Sequence, residues 1–527
     1  MTDLIHDLIF AAAERTPDAA ALLYQDRRID YAALAGRVAA TVGGLHELGL
    51  GRGERVAVYL EKRFETVIAL FAAVAAGGAM VPVNPVLKAE QVAYILIDCN
   101  VRILVTSPER LKLLQTVLPL CHDLHTVIVA GAGNNLPAIA GLTVVGWETV
   151  AESGERPLAR VIDSDMAAII YTSGSTGKPK GVVLSHRNLL AGAKSVAQYL
   201  QNRSDDRILT VLPLSFDYGL NQLTTAFYAG AANVLMNYLL PRDIIRIVDE
   251  QQITGLAAVP PLWVQLAQLD WGKASSLRYI TNSGGAMPHA TLRQLRGALP
   301  HTEIFLMYGF TEAFRSTYLA PEELARRPDS IGKAVPNTEV LVLREDGSLC
   351  APGEPGELVH RGALVALGYW NDAERTAQCF KPVKARQAGL PLTEIAAWSG
   401  DTVRMDEEGF LYFIERRDEM IKTSGYRVSP TEVEEVAYAS AWVAEAVAVG
   451  VPHPVLGQAI ALIATTRNGA KADVDLLLQA CKQRLPAYML PSHVELREGN
   501  LPRNPNGKID RKLLSQEMQH LFTESDQ

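Results

Sequence analysis

Cysteine is scarce and scattered in this chain. The five cysteines among 527 residues, Cys99, Cys121, Cys350, Cys379 and Cys481, form no C-x-x-C pair. That spacing argues against a zinc ribbon or a redox dithiol and fits a reducing, cytoplasmic setting. The short cluster Cys121-His122-Asp-Leu-His125 has no distant partner, so it reads as surface chemistry and not as a metal site. Basic runs are missing as well. The chain has 50 Lys and Arg against 58 Asp and Glu, a formal net charge of -8. Nothing in that balance suggests nucleic acid as a partner. No unbroken apolar run is long enough to cross a bilayer. The longest uncharged stretch, Thr66 to Leu87, is cut by Gly77-Gly78 and carries Pro82 and Pro85. A helix (Glu65 to Ala76), a turn and a buried strand (Ala79 to Val83) explain it better than membrane insertion. The N-terminus, Met1-Thr-Asp-Leu-Ile-His-Asp7, carries acids and no basic region, so no signal peptide is expected. Internal repeats and low-complexity tracts are absent too.

What is present is an ordinary globular composition, 48% apolar and 20% charged, in a chain too long for one core. Helical and strand patterns alternate over the first four hundred residues or so. Tyr31 to Leu48 has helical spacing. Arg55 to Leu60, Arg102 to Thr106, Thr126 to Val129, Ile208 to Leu212 and Asn233 to Met236 read as strands. Such alternation predicts α/β units with sheets covered on both faces. From about Ile331, shorter strands and Gly/Pro turns predict a β-rich subdomain. A boundary is expected near Arg416-Arg-Asp-Glu419. Beyond it, Ser429-Pro-Thr-Glu432 reads as a capping box with Pro at the first helical position. The fold class is therefore α/β: a large N-terminal domain, residues 1–417, and a small mobile α+β C-terminal domain, residues 418–527.

The stretch Tyr171-Thr-Ser-Gly-Ser-Thr-Gly-Lys-Pro-Lys-Gly181 packs three glycines, five hydroxyls and two lysines into eleven residues. Apolar runs flank it, so it is a loop between two strands. Glycines let backbone N–H groups approach phosphate oxygens, hydroxyls donate to them, and lysines supply positive charge. It is not a Walker A loop, which needs four residues between Gly and Gly-Lys-Ser/Thr. Here two residues separate Gly174 from Gly177, and Pro179 follows Lys178. No G-x-G-x-x-G dinucleotide fingerprint is present either.

Four further islands follow in order: Asn282-Ser-Gly-Gly-Ala-Met-Pro288 after a strand, Met307-Tyr-Gly-Phe-Thr-Glu312, Ser399-Gly-Asp401 before a strand, and Pro505-Asn-Gly-Lys508-Ile-Asp-Arg511. Each is weak alone. With the phosphate loop they resemble the AMP-forming adenylating enzymes, the superfamily of acyl-CoA synthetases, nonribosomal peptide synthetase adenylation domains and luciferase. The resemblance covers almost the whole chain. It implies an acid–thiol ligase that joins a carboxylate to the α-phosphate of Mg-ATP, releases pyrophosphate and passes the acyl group to a thiol. Such catalysis is mostly positioning and charge neutralisation.

By the same resemblance, Thr172, Ser173, Gly174, Ser175, Thr176, Gly177, Lys178 and Lys180 hold the β- and γ-phosphates. Gly284, Gly285 and Ala286 border the adenine, and Tyr308, followed by Gly309 and Phe310, stacks on it. Thr311 touches the α-phosphate, and Glu312 ligates Mg²⁺. Asp401 takes the ribose hydroxyls, and Arg416 assists at ribose or phosphate. Lys508 is the catalytic lysine, and Asp418 sits at the hinge. The small domain first delivers Lys508, then rotates to present the Lys422-Thr-Ser-Gly425 face for thiol transfer.

The substrate signal is Pro213-Leu-Ser-Phe-Asp-Tyr-Gly219. Many acyl-CoA synthetases carry histidine where this chain has Phe216. Amino-acid adenylation domains tend to read Phe-Asp, and their Asp pairs with the substrate's α-amino group. Asp217 falls there, with Ser283 as a further pocket residue. A carboxylate facing the pocket suits an ammonium and is costly beside a fatty chain. The leading substrate is a small amino or imino acid loaded on a separate carrier protein. A fatty or aryl acid loaded on coenzyme A is the alternative. A non-catalytic nucleotide-binding module is a remote third reading. No carrier-protein domain is expected after Arg511.

Overall fold

The computed structural model describes residues 2–132, 136–154, 156–172, 178–272, 274–287, 289–383, 393–416, 420–440, 442–466, 473–499, 501–502 and 509–522. Two large sheets carry the N-terminal part. In the first, the strands run Gly368–Tyr369, Lys180–Ser185, Met166–Thr172, Ala79–Pro82, Arg55–Tyr59, Val101–Thr106, Thr126–Val129 and Thr143–Gly146 across the sheet. Most neighbours are parallel, and their apolar residues are buried on both faces.

The helix Phe64–Ala75 explains the long uncharged stretch. All of its residues except Glu65 are buried. An apolar surface all round suits a helix enclosed by protein. It packs on the helix Tyr31–Glu47, which the sequence predicts one residue longer. Among the described residues no helix is long and apolar enough to cross a membrane.

The second sheet positions the site. Strands Arg207–Thr210, Gly255–Ala258, Tyr279–Asn282 and Glu303–Tyr308 lie side by side and parallel. Their carboxyl ends therefore open onto one edge, where ligand crevices form in parallel sheets. The sheet continues antiparallel through Thr317–Leu319 and Ser330–Ala334 into Leu411–Arg416, Glu394–Met405, Gly356–Gly362 and Thr338–Leu343. The β-rich region is thus joined to the second sheet by continuous hydrogen bonding, not set apart as an independent unit.

The C-terminal part builds a separate sheet from Ile421–Thr423, Tyr426–Val428, Val443–His453, Gly457–Thr466 and His493–Arg497. Helices Pro430–Tyr438 and Val474–Arg484 pack a core around Val433, Leu462 and Leu477. Arg511–Glu517 covers the other face.

Three local expectations change. Ser399-Gly-Asp401 lies within the strand Glu394–Met405 instead of before it. Gly400, at φ +72°, lets the strand kink there. The helix after Ser429 starts at Pro430 as predicted, but the capping box is not closed. Glu432 turns inward, and its Oε2 is buried without a partner among the described residues. Cys121 is buried, with its sulfur directed at the Val117 carbonyl, so it is core and not surface.

Candidate active site

Strands Met166–Thr172 and Lys180–Ser185 form an antiparallel pair, with Thr172 opposite Lys180. The two strands that the flanking apolar runs predict are present, and their antiparallel pairing makes them a hairpin. Ser173, Gly174, Ser175, Thr176 and Gly177 lie outside the described residues. At the rim, the Thr172 hydroxyl is buried with no partner among the described residues, and Lys178 is exposed. Lys180 points inward. Its Nζ donates to Glu312 Oε1 at 2.8 Å and to the Tyr369 hydroxyl at 3.0 Å. Tyr369 in turn donates to the same carboxylate oxygen at 2.6 Å.

Glu312 sits on a short turn, Thr311–Ala313, after the strand Glu303–Tyr308. Burial alone would push its carboxyl up. The Lys180 ammonium, the Arg427 guanidinium and the hydrogen bonds from Lys180 and Tyr369 outweigh burial and hold it well below the usual carboxylate range. The turn is anchored by Phe314, which adopts φ +56°. Its ring fills the space left by Gly192 on the helix His186–Tyr199. A Cβ on Gly192 would stand 2.4 Å from that ring.

A cleft of about 1320 Å³ opens over the carboxyl ends of the second sheet. Thr172, Phe216, Asp217, Ser283, Gly284, Gly285, Ala286, Tyr308, Gly309, Phe310, Thr311 and Lys422 line it. These residues come from five segments remote in sequence, which converge there. Gly284, at φ +84°, makes the turn after Tyr279–Asn282, and the Asn282 amide donates to the Gly285 carbonyl at 3.0 Å. The Tyr308 hydroxyl donates to Asp401, which is fully buried in its strand. In backbone register, position 416 on the neighbouring strand stands opposite Asp401. Another depression of about 1280 Å³, lined by Asp163, Arg187 and Lys194 among others, holds none of the motif residues.

Asp217 begins the helix Asp217–Ala229, half-buried at the cleft. The close approach of Gly219 to the Pro213 carbonyl, where a Cβ would stand 2.0 Å away, sets the helix start against its preceding turn. The Thr311 hydroxyl donates to Asp217 Oδ1 at 3.4 Å. Burial pushes the Asp217 carboxyl up, against the pull of Arg315 and Arg427.

The small C-terminal sheet closes the cleft. Its hairpin of Ile421–Thr423 and Tyr426–Val428 enters the site, with Tyr426 edge-on to Phe216 at 5.0 Å and stacked on Tyr488 at 3.7 Å. Gly425, at φ +81°, lies against Val259, where a Cβ would stand 2.8 Å from the valine side chain. Lys422 Nζ lies 4.9 Å over the Phe413 ring. Asp418 and Lys508 lie outside the described residues.

The sequence reasoning did not single out Arg315, Tyr369 or Arg427. Arg315 carried one signal, a lone charge among the small and apolar residues after Glu312. Among the described residues no group of three His, Cys, Asp or Glu could hold a metal alone.

The description "AMP-binding enzyme" matches residues 9–370, and "AMP-binding enzyme C-terminal domain" matches residues 432–508. The L-proline–[L-prolyl-carrier protein] ligase of Pseudomonas fluorescens is 30% identical over 98% of this chain and 99% of its own. Tyrocidine synthase 3 of Brevibacillus parabrevis is 31% identical over 98% of this chain, which spans 8% of that protein's length. The solved o-succinylbenzoate CoA synthetase of Bacillus subtilis superposes with a TM-score of 0.82 at 25% identity, over 97% of this chain and 98% of that one. With a family match over most of its length and a cleft built from the motif residues, the chain belongs to the AMP-binding enzymes, the adenylate-forming ligases.

Proposed function

We propose that the protein activates a small amino or imino acid with Mg-ATP and transfers it to the pantetheine thiol of a separate carrier protein. The observation that carries the substrate class is Asp217. Its carboxylate lines the cleft and shares a hydrogen bond with Thr311, on the turn that also holds Glu312. An α-ammonium bound at Asp217 would set the adjoining carboxylate toward Thr311. The full-length similarity to a prolyl-carrier-protein ligase supports the same reading.

In the first step a substrate carboxylate oxygen attacks the α-phosphorus of ATP. The bond to the bridging oxygen breaks, and pyrophosphate leaves. The unpartnered Thr172 hydroxyl and the loop that follows it are suited to hold the phosphates. Lys508 is the residue assigned to bridge carboxylate and phosphate while charge develops. Gly284, Gly285 and Ala286 border the base, with Tyr308 against it and Asp401 and Arg416 toward the ribose. Glu312 fits a Mg²⁺ site: its carboxylate is held ionised, and Mg²⁺ takes one or two carboxylates and completes its shell with phosphates and water. The ion would offset phosphate charge. In the second step the thiol attacks the acyl carbon and AMP leaves.

The small domain, hinged at Asp418, is proposed to serve the two steps in two orientations. The hairpin bearing Lys422 lies in the cleft, which supports its assignment to thiol transfer.

The second reading is an acyl-CoA synthetase, favoured by the likeness to o-succinylbenzoate CoA synthetase. Pyrophosphate exchange across amino, fatty and aryl acids separates the two. Exchange with amino acids that falls at least tenfold in Asp217→Ala supports the first. Exchange confined to fatty or aryl acids overturns it. Release of ADP in place of AMP would refute adenylation altogether.

A further inference from the structure

Arg315 is buried in the wall of the cleft with two of its three guanidinium nitrogens unused. It is 2% exposed and lines the cavity. Its Nη1 donates to the Ser283 hydroxyl at 3.0 Å, and its plane lies against Tyr218, with Cζ 4.7 Å from the ring centroid. Among the described residues, Nε and Nη2 have no hydrogen-bond partner. The nearby hydroxyls are engaged elsewhere: Tyr218 with Thr281 at 2.6 Å, and Tyr199 with the Met307 sulfur.

Burying a guanidinium with two unmade bonds is costly unless something completes it. Asp217 is close enough for its charge to be felt, yet among the described residues no carboxylate is hydrogen-bonded to the arginine. Nε and Nη2 form one edge of the planar fork. That edge matches the two oxygens of a carboxylate, a bidentate geometry that lysine cannot supply. Ser283 and Tyr218 hold the fork in place from its other edge and its face, so the free edge is preorganised.

We propose that Arg315 determines specificity by binding a second carboxylate of the substrate, which is therefore an amino dicarboxylic acid of the aspartate or glutamate type. This rests on the reading of Asp217 as the ammonium ligand. The ammonium lies at Asp217, the reacting carboxylate turns toward Thr311, and the distal carboxylate meets the Nε–Nη2 edge. The opposite charges of Asp217 and Arg315 stand in one cleft without pairing, which suits a ligand that carries both signs.

The test is pyrophosphate exchange with aspartate, glutamate, their amides asparagine and glutamine, and the amine-free succinate and glutarate. For the native enzyme, an acidic amino acid should exceed its amide by about 10²-fold or more in kcat/KM, because the amide leaves a buried donor unpaired. Arg315→Gln should collapse that ratio to near unity and leave the KM for ATP unchanged. Arg315→Lys should restore only part of it. Preference of the native enzyme for a neutral amino acid or a simple monoacid overturns the proposal, even if Arg315→Gln fails to fold. An equal loss with every acid, together with a raised KM for ATP, also overturns it by making Arg315 a nucleotide ligand. Preference for succinate or glutarate that depends on Arg315 upholds the second-carboxylate site and refutes the Asp217 reading. No exchange with any acid refutes the proposed activity itself.

Discussion

Lys180 Nζ and Glu312 Oε1 meet at 2.8 Å across 132 residues of chain. The lysine ends the phosphate-type loop, and the glutamate sits on the turn after the central strand. Their contact ties the two sheets together at the cleft, with Tyr369 bonded to both. Lys180→Met leaves a buried carboxylate without its main counter-charge. The expected loss is about 3–5 kcal/mol of stability. Lys180→Met with Glu312→Gln should regain most of it, because no buried charge is stranded. Urea unfolding of the single and double variants checks this.

Gly425 permits the small domain's hairpin to lie on Val259. Alanine there would carry an unfavourable positive φ and crowd Val259 at 2.8 Å. The φ strain stays with the hairpin in either orientation, but the crowding of Val259 is borne only in this docked arrangement, and about 1.4 kcal/mol from it should slow thiol transfer by about tenfold. Pyrophosphate exchange in Gly425→Ala should stay near the native rate. Single-turnover transfer from preformed adenylate, measured beside exchange, separates the two steps.

Lys508→Ala should abolish adenylate formation and spare transfer from a supplied acyl-adenylate. Native-level pyrophosphate exchange in that variant would remove Lys508 from the reaction.

Burial pushes the Glu432 carboxyl up to about 8 from an ordinary 4.5, with a further upward push from Glu435. Between those values the folded chain holds a proton that the unfolded chain has lost. Folding stability from this group therefore falls as pH rises through that window. Glu432→Gln keeps the shape and removes the titration. The variant should melt higher than the native protein at pH 8, and the two should converge below pH 4.5. Scanning calorimetry across that range reads the difference.

Much of the fold was legible because its signals are local. The uncharged stretch from Thr66 resolves into a helix, a turn and a strand, since Gly77-Gly78 must break it. The two strands on either side of the loop at Tyr171 to Gly181 follow from the apolar runs that flank it, and their antiparallel pairing came from the folded structure. The candidate site was legible only as islands. Arg315 lies three residues after Glu312, yet nothing local says that it points inward. Its direction depends on Phe314 at φ +56°, held by the gap at Gly192, more than a hundred residues earlier. Tyr369 was missed for the same reason, because its partners Lys180 and Glu312 come from two other segments.

By itself the amino-acid sequence determined the alternation of strands and helices, the polyanion chemistry of the loop at Tyr171 to Gly181, and the ordered motifs that carry family membership. These depend on side-chain periodicity and on glycine and proline at fixed offsets. The tertiary structure decided which charges meet: Lys180 with Glu312, Asp217 beside Arg315 without pairing, and the Gly425 hairpin over Val259. Desolvation and Coulomb attraction act through space. Their partners here lie tens to hundreds of residues apart, and only the folded chain brings them together.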